Sequence, residues 1–471
     1  MQASDVKNKC FIIWSNKVEG RLDPHFYKPD FLDLIESFKN SNFEVKSLKE
    51  ISEKITSGAT PKSGGTDYTS KDDGIAFIRS GDINEEGKID FDNILYVKKE
   101  IHNKKLKSSQ LKRGDVLIAI VGATIGEVSV YSNDNEANIN QAIALVRCKE
   151  NIKPEYIKAF MLSGMGQKQL DKIKRPVARA NINLEEIGGF KIPVPPLEIQ
   201  NKIVEIMQLA YEKKASKEQK AESILNSIDD YTLGELGIKM PEAEDKECFS
   251  ISSEELGSGR LDCYYYQPKF KEGEKSLKKA NCKPEPLKNY IAKIHYGASL
   301  KNIYVDEGIP LLRIQNLKPN RVILDDTVKI SETRRKELGN AFVSEGDLLI
   351  SRSGSVGIVS VVPKEAEGFA FGSFMIKFCL NDKIDKDFVS MWLNNKISQL
   401  FIKREKIGAI QGNITIETIE NLQIPTPPLA IQKKLAGEVK ERLAQAKKIN
   451  TEAQDEVEKA KIFVENLIIK K

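Results

Sequence analysis

IPVPPLEIQNKI, residues 192–203, and IPTPPLAIQKKL, residues 424–435, are the stretches from which the organisation of this chain can be read. Extended backwards, Ala180–Ile203 aligns with Gly412–Leu435 without a gap at a shift of 232, and 12 of 24 positions are identical. Two more anchors occur in the same order. GRLDPHFYKPDF (Gly20–Phe31) matches GRLDCYYYQPKF (Gly259–Phe270), and RGDVLIAIVGATIGEV (Arg113–Val128) matches EGDLLISRSGSVGIV (Glu345–Val359). A repeat with so long a period is a duplicated domain and not a solenoid, whose units are far shorter.

Between the anchors the copies diverge. TSGATPKSGGTDYTSKDDGIAFIRSGDI (Thr56–Ile83) stands against the shorter HYGASLKNIYVDEGIPLLRIQNL (His295–Leu317). A common scaffold with unlike middles presents two different surfaces. Each copy runs through short β-branched stretches punctuated by glycine: Ala76–Ser80, Asp115–Val121 and Gly126–Tyr131 in the first, Leu311–Gln315, Asp347–Ser351 and Gly357–Val362 in the second. These read as strands of a mixed α+β domain. Amphipathic helical patterns follow at Ile152–Ile173 and Ile384–Arg404, each closing on basic residues.

Past each Pro-Pro the pattern changes. Proline suits a helix start and not its interior, and Leu197–Leu233 and Leu429–Ile469 contain none. At ~1.5 Å per residue these helices would be roughly 55 and 60 Å long. Ile203, Met207, Ala210, Ala221, Ile224, Ile228 and Tyr231 recur at alternating spacings of 4 and 3, with Lys214 and Lys217 in the two missing positions. Val439, Leu443, Ala446, Ala453, Val457, Ala460, Val464 and Leu467 do the same, interrupted at Asn450. Such heptads imply coiled-coil pairing, with Asn450 as a polar register device. The expected division is therefore a domain over 1–194, a helix over 195–236, a second domain over 237–426 and a second helix over 427–471.

The bulk properties are compatible with this. The chain has 471 residues, too many for one core, with 40% hydrophobic and 30% charged residues. It lacks an apolar run long enough to span a bilayer, and its first residues lack a signal-peptide layout, so a cytoplasmic protein without membrane contact is expected. The six cysteines are scattered without a CxxC pair, which argues against zinc and disulfide frameworks. The net charge of +5 permits nucleic-acid binding without demanding it.

Catalytic motifs fail one after another. GDINEEGKI (Gly81–Ile89) has five residues between its glycines instead of the four of a phosphate loop, and Ile89 where a magnesium-binding hydroxyl belongs. VPPL and TPPL lack the Asn and aromatic residue of a base-methylating motif. The Glu-x-Lys fragments Glu44–Lys46 and Glu438–Lys440 lack a nuclease carboxylate set. The three histidines, His25, His102 and His295, are far apart and read as packing or surface groups. No catalytic residue and no metal site is expected.

Side chains suited to base edges and phosphates do occur in both copies. In the first they are Thr60, Lys62, Arg79, Ser80, Thr124, Asn140 and Gln141, followed by Lys174, Arg175, Arg179 and Asn181. In the second they are Ser299, Lys301, Arg313, Gln315, Asn316, Arg352, Ser353 and Ser355, followed by Lys403, Arg404, Lys406, Gln411 and Asn413. Both late basic clusters precede the same Asn-Ile. The turns at Gly122/Gly126 and Gly354/Gly357 would let backbone come near phosphate.

The doubled I-P-x-P-P-L-x-I-Q with its charged helix, together with G-x-T-P (Gly58–Pro61), G-A-T-I-G (Gly122–Gly126) and N-Q-A-I (Asn140–Ile143), resembles the specificity subunit of a type I restriction–modification system over essentially the whole chain. Copy two departs from the pattern, with Gly297–Leu300 and Gly372–Phe374 in place of G-x-T-P and N-Q. The resemblance implies an α+β fold with two tandem target recognition domains, each reading half of a bipartite site in double-stranded DNA. It implies that the two helices pair as an antiparallel coiled coil that sets the gap between the halves. It also implies a non-catalytic chain, holding no cofactor itself, that directs two methylation subunits carrying S-adenosylmethionine and restriction subunits using ATP and Mg. The residues leave open the specificity subunit of a fused restriction–methylation enzyme (type IIB/IIG-like). They also leave open a protein scaffold that does not bind DNA, and a cryptic nuclease.

Overall fold

A computed structural model describes residues 11–14, 18, 21–62, 65–175, 180–242, 246–253, 262–300, 304–405 and 412–469. It divides into two units, 1–218 with 450–471, and 219–449. Each unit thus takes one part of each long helix.

In the first unit an antiparallel sheet has the order Ser52–Ser57, Ile143–Cys148, Val116–Ala119, Val128–Val130. A second sheet has the order Tyr68–Thr69, Leu95–Lys98, Gly74–Ile78, Ala137–Ile139, its last pair parallel. The second unit repeats this frame. Ile291–Tyr296, Met375–Leu380, Leu348–Ser351 and Val359–Val361 form its four-stranded sheet, and Val328–Ile330, Ile309–Leu312 and Ala370–Phe371 form a smaller one. The duplication extends to a register irregularity, between Ser52 and Lys54 and between Ile291 and Lys293.

The repeated motif has a physical reason in each copy. Ile192 and Ile424 are fully buried in the short strands Lys191–Pro193 and Gln423–Pro425, which pair with Val45–Ser47 and Pro284–Pro286. Gln200 Oε1 accepts from the Lys153 amide at 2.8 Å, and its Nε2 donates to the Asn151 and Pro195 carbonyls. Gln432 does the same with the Asp385 amide at 2.8 Å and the Pro427 carbonyl. One buried glutamine therefore satisfies backbone groups at the start of another helix and at the Pro-Pro itself, where an unpaired group would be costly. The Gly-Asp pairs are also structural. Asp115 is buried and takes a two-pronged ion pair from Arg147 at 2.7 Å, while Asp347 takes Lys377 at 2.7 Å and the Cys379 thiol at 2.9 Å. Burial, and then Asp347, push that thiol up to about 11.

The amphipathic stretches expected as single helices are broken in two: Pro154–Met161 with Gly164–Ile173, and Lys386–Asn394 with Lys396–Glu405. Ser163 caps the second helix by accepting from the Gly166 amide, and extended backbone at Asn395 separates the other pair. A periodic pattern continues across such a corner because both helices bury the same side.

The long helices are Leu197–Glu235 and Leu429–Ile468. In the first unit, Ile203, Met207 and Ala210 share a core with Val457, Ala460, Val464 and Ile468, and Lys217 pairs with Glu456 at 2.9 Å. In the second, Leu233 and Leu236 share a core with Leu435, Ala436 and Val439. There Lys434 pairs with Glu235 at 3.1 Å, and the Arg442 guanidinium lies 4.4 Å from the Tyr231 ring centre. The two lysines that fill the missing positions of the apolar stripe are taken up in ion pairs. Lys214 reaches out to Glu86 and Glu218, and Lys217 to Glu452 and Glu456. Asn450 is exposed, so it is not the buried polar register residue that the heptads suggest.

Candidate nucleic-acid interface

In the first unit five segments remote in sequence are tied edge to edge by backbone. The Asn140 amide donates to the Ile78 carbonyl at 3.0 Å, which sets the Asn140–Gln141 turn beside Arg79 and Ser80. Ile120 donates to the Ala142 carbonyl and accepts from the Ile182 amide, both at 2.9 Å, and Gly122 donates to Ala180 at 3.0 Å. That brings the Gly122–Thr124 turn beside Asn181. Gly58 closes the ring, because its backbone lies so near Ile139 and Asn140 that a Cβ would stand 1.8 Å from the Ile139 carbonyl oxygen. Thr60, two residues on, donates to the Gln141 side chain.

The second unit builds the same rim. Gly297 crowds the Gly372 carbonyl, where a Cβ would stand 2.2 Å away. Gly372 donates to Leu312 at 3.1 Å and Ser373 to Ala298 at 2.9 Å. Arg352 donates to the Phe374 carbonyl at 2.9 Å and accepts from Ile414 at 3.1 Å, and the Ser353 hydroxyl meets the Asn413 amide oxygen. Loop ends that the sequence places far apart thus converge at one edge of each unit.

Not every expected residue is available there. Thr60, Lys62, Gln141, Asn181, Ser299, Gln315, Ser355 and Lys403 are exposed, and Ser80, Thr124, Asn140, Lys174 and Asn413 are half-buried. Arg79 is half-buried and held by both oxygens of the buried Asp82 at 2.7 and 3.1 Å, a bond that raises its pKa above the ordinary guanidinium value. Arg313 leans on Asp326 at 3.3 Å, as does Gln315, and Arg175 is paired with Glu186 at 2.9 Å. Ser353 is buried. Two assignments need correction. Asn316 is only 1% exposed; it accepts from the Arg313 amide and donates to the Ile323 carbonyl, so it shapes a turn and cannot reach a base. Arg404 lies within 5.8 Å of the Tyr265, Phe270 and Phe401 ring centres and pairs with Glu274 at 2.5 Å, so it is a packing residue. Arg179, Lys301, Lys406 and Gln411 lie outside the described residues.

The glycine turns divide into two kinds. Gly126 and Gly357, at φ of +101° and +94°, are closed off by Gln167 and Gln399, whose Nε2 atoms donate to the glycine carbonyls at 2.8 Å. Gly122 has nothing within 4 Å of an added Cβ, and Gly354 only an Ile314 methyl at 3.5 Å, so these two leave backbone open to a ligand. Sequence reasoning missed Tyr296, an exposed ring under Arg352, because a tyrosine at a strand end reads as ordinary β-structure. His25 and His295 bond to the Asp171 and Asn340 carbonyls, and the buried His102 bonds to Asn138. Burial, and then Lys377, hold His295 below its ordinary value. Among the described residues no cluster of three His, Cys, Asp or Glu suits a metal ion, and no helix is long and apolar enough to cross a membrane.

The two units thus repeat one frame and one loop rim, the arrangement of a tandem-domain protein. A family model described as the type I restriction modification DNA specificity domain matches residues 40–226 and 290–459. The chain belongs to that family, whose members act in DNA sequence recognition and are generally non-catalytic. The putative type I restriction enzyme MjaX specificity subunit of Methanocaldococcus jannaschii is 27% identical over 93% of this chain and 97% of its own length. The EcoBI specificity subunit of Escherichia coli is 30% identical over 34% of this chain and 33% of its own. A chain solved in work on complex assembly and conformational transition of a type I restriction–modification system shares the fold, with a TM-score of 0.53 at 15% identity, covering 90% of this chain and 96% of that one.

Proposed function

We propose that each unit reads one half of a bipartite duplex through its loop rim. The observation that carries this is that both units converge matching loop ends by matching backbone bonds while the side chains on those loops differ. Backbone ties that are common to both copies make a rigid platform, and unlike side chains on it make two different half-sites. The residues assigned to readout or phosphate contact are Thr60, Lys62, Arg79, Ser80, Thr124, Asn140, Gln141, Lys174, Arg175 and Asn181 in the first unit. In the second they are Ser299, Arg313, Gln315, Arg352, Ser355, Lys403 and Asn413, with the buried Ser353 holding Asn413; Arg179 of the first copy and Lys301, Lys406 and Gln411 of the second are assigned from their place in the sequence.

The recognition domains are assigned to 1–194 and 237–426, and the spacer helices to 195–236 and 427–471. The helices act as an antiparallel coiled coil that fixes the distance between the half-sites. In support, the first unit packs the early part of the first helix with the late part of the second, and the second unit packs the late part of the first with the early part of the second. The chain works in the cytoplasm with two methylation subunits that supply S-adenosylmethionine and adenine methylation, and with restriction subunits that supply ATP- and Mg-dependent cleavage. The relatives matched along most of the chain are specificity subunits, which favours this reading over a fused enzyme or a protein scaffold.

The test is duplex binding by the chain assembled with its methylation partner. Binding should prefer one bipartite sequence and weaken steeply with salt. Salt-insensitive binding, or none, would overturn it.

A further inference from the structure

At three matched rim positions the two units carry unlike side chains, small or aliphatic in the first and two rings with a guanidinium in the second, and the strand register sets the match. In the first unit Ser57 pairs with Ala144, Ile118 with Ala144 and Ala119 with Ile143, which sets Ile120 opposite Ala142 one step further on. In the second, Tyr296 pairs with Ile376, Ile350 with Ile376 and Ser351 with Met375, which sets Arg352 opposite Phe374. The bonds from the Ile120 amide to the Ala142 carbonyl and from the Arg352 amide to the Phe374 carbonyl, both 2.9 Å, continue these registers. Directly opposed residues, and residues two apart along a strand, share a face. Ser57, Ile120 and Ala142 on one sheet therefore correspond to Tyr296, Arg352 and Phe374 on the other.

The first set closes its end of the core: Ile120 is 5% and Ala142 9% exposed. The second set opens outward, with Phe374 52% and Tyr296 41% exposed. The Arg352 guanidinium sits 4.7 Å from the Tyr296 ring centre, and no carboxylate pairs with it among the described residues. Its Nε is buried without a hydrogen-bond partner. Arg79, Arg175 and Arg313, by contrast, each lean on a carboxylate. An arginine stacked on a ring, with no acid to neutralise it, is pre-oriented for an outside acceptor. The phenyl ring beside it gains from an apolar one.

We propose that Arg352 and Phe374 are specificity-determining residues of the second unit: Arg352, positioned by Tyr296, donates in bidentate fashion to a guanine, and Phe374 packs on the methyl group of a thymine at a neighbouring base pair. Major-groove guanine offers the paired N7 and O6 acceptors that a guanidinium fits, and the thymine methyl is the apolar feature of that groove. This rests on the rim reading above. The first unit, with Ser57, Ile120 and Ala142 at these places, has neither contact.

The experiment uses the full chain with its methylation partner, tested by methylation mapping and by binding to defined duplexes. Arg352→Lys keeps the charge but loses the fork. It should relax the requirement for guanine at one position of one half-site by roughly 10- to 100-fold, the range for a good bidentate pair, leaving the other half-site and the gap unchanged. Phe374→Ala should abolish the discrimination between thymine and deoxyuracil at the neighbouring position, a discrimination that the unsubstituted protein shows. Uniform loss of affinity across all duplexes would make Arg352 a phosphate contact and overturn the proposal. A rim block, Ser299→Trp with Ser355→Trp, separates the two ideas. If the block abolishes methylation while Arg352→Lys and Phe374→Ala leave base preference intact, only the present inference falls. If the block too leaves the half-site intact, the rim reading falls with it.

Discussion

Gly58 shows how a single residue can hold a loop rim together. A Cβ at that position would meet the Ile139 carbonyl oxygen at 1.8 Å and the Asn140 oxygen at 2.7 Å, and both are backbone atoms with little freedom to retreat. Gly58→Ala must therefore part the loop carrying Thr60 and Lys62 from the Asn140–Gln141 turn. We expect overpacking to cost about 1–3 kcal/mol, read by thermal unfolding, and recognition of one half-site to fall at least tenfold while the other persists. Equal loss at both half-sites would refute the assignment of this rim to one of them. The glycine is visible in the sequence, but its reason is not, because the carbonyl it makes room for lies in a strand some eighty residues away. The same limit explains Asn316. A polar residue in a turn reads as solvated, yet its amide is spent on Arg313 and Ile323. Only the folded chain brings these partners within reach.

Helices were the most legible elements, since a stripe of period 3.5 is written locally. The stripe correctly marks Ile203, Met207, Val457 and Val464 as buried. Periodicity has less power to tell what a polar residue in the stripe does, or where a helix breaks. Lys214 turns to Glu86, which lies in a turn more than a hundred residues earlier in the first unit, so its placement is a tertiary fact. Asn450, in a seam position by count, is exposed. The two seam residues therefore predict opposite outcomes. Ile203→Ala, which empties a fully buried site in the first unit's core, should destabilise by about 2–5 kcal/mol. Asn450→Ala should change stability by no more than about 0.5 kcal/mol, as at other exposed positions. Urea unfolding of the two variants decides it: a comparable loss for Asn450→Ala would restore that residue as a buried register device.

Over the whole molecule, the proposed function depends on two recognition frames and the distance between what they read. If an antiparallel helix pair sets that distance, an insertion in one helix alone should shift its seam against its partner and break the pairing. It should also pull apart the ties of Lys214 to Glu86 and of Lys217 to Glu456 when placed among residues 213–217. A whole heptad added to both helices preserves the seam, because the stripe repeats after seven residues. Placed after Ala221 in the first helix and before Asn450 in the second, beyond those ion pairs, each insertion lengthens its helix by roughly 10 Å. With about 34 Å of duplex per turn of roughly ten base pairs, that corresponds to about three base pairs. The doubly extended chain, assembled with its methylation partner, should methylate the same two half-sites with a gap about three base pairs longer, as read by single-molecule methylation mapping. The single insertion should lose methylation altogether. Half-sites that change with helix length would show that the helices take part in reading sequence, and an unchanged gap in the double insertion would remove them as the element that measures it.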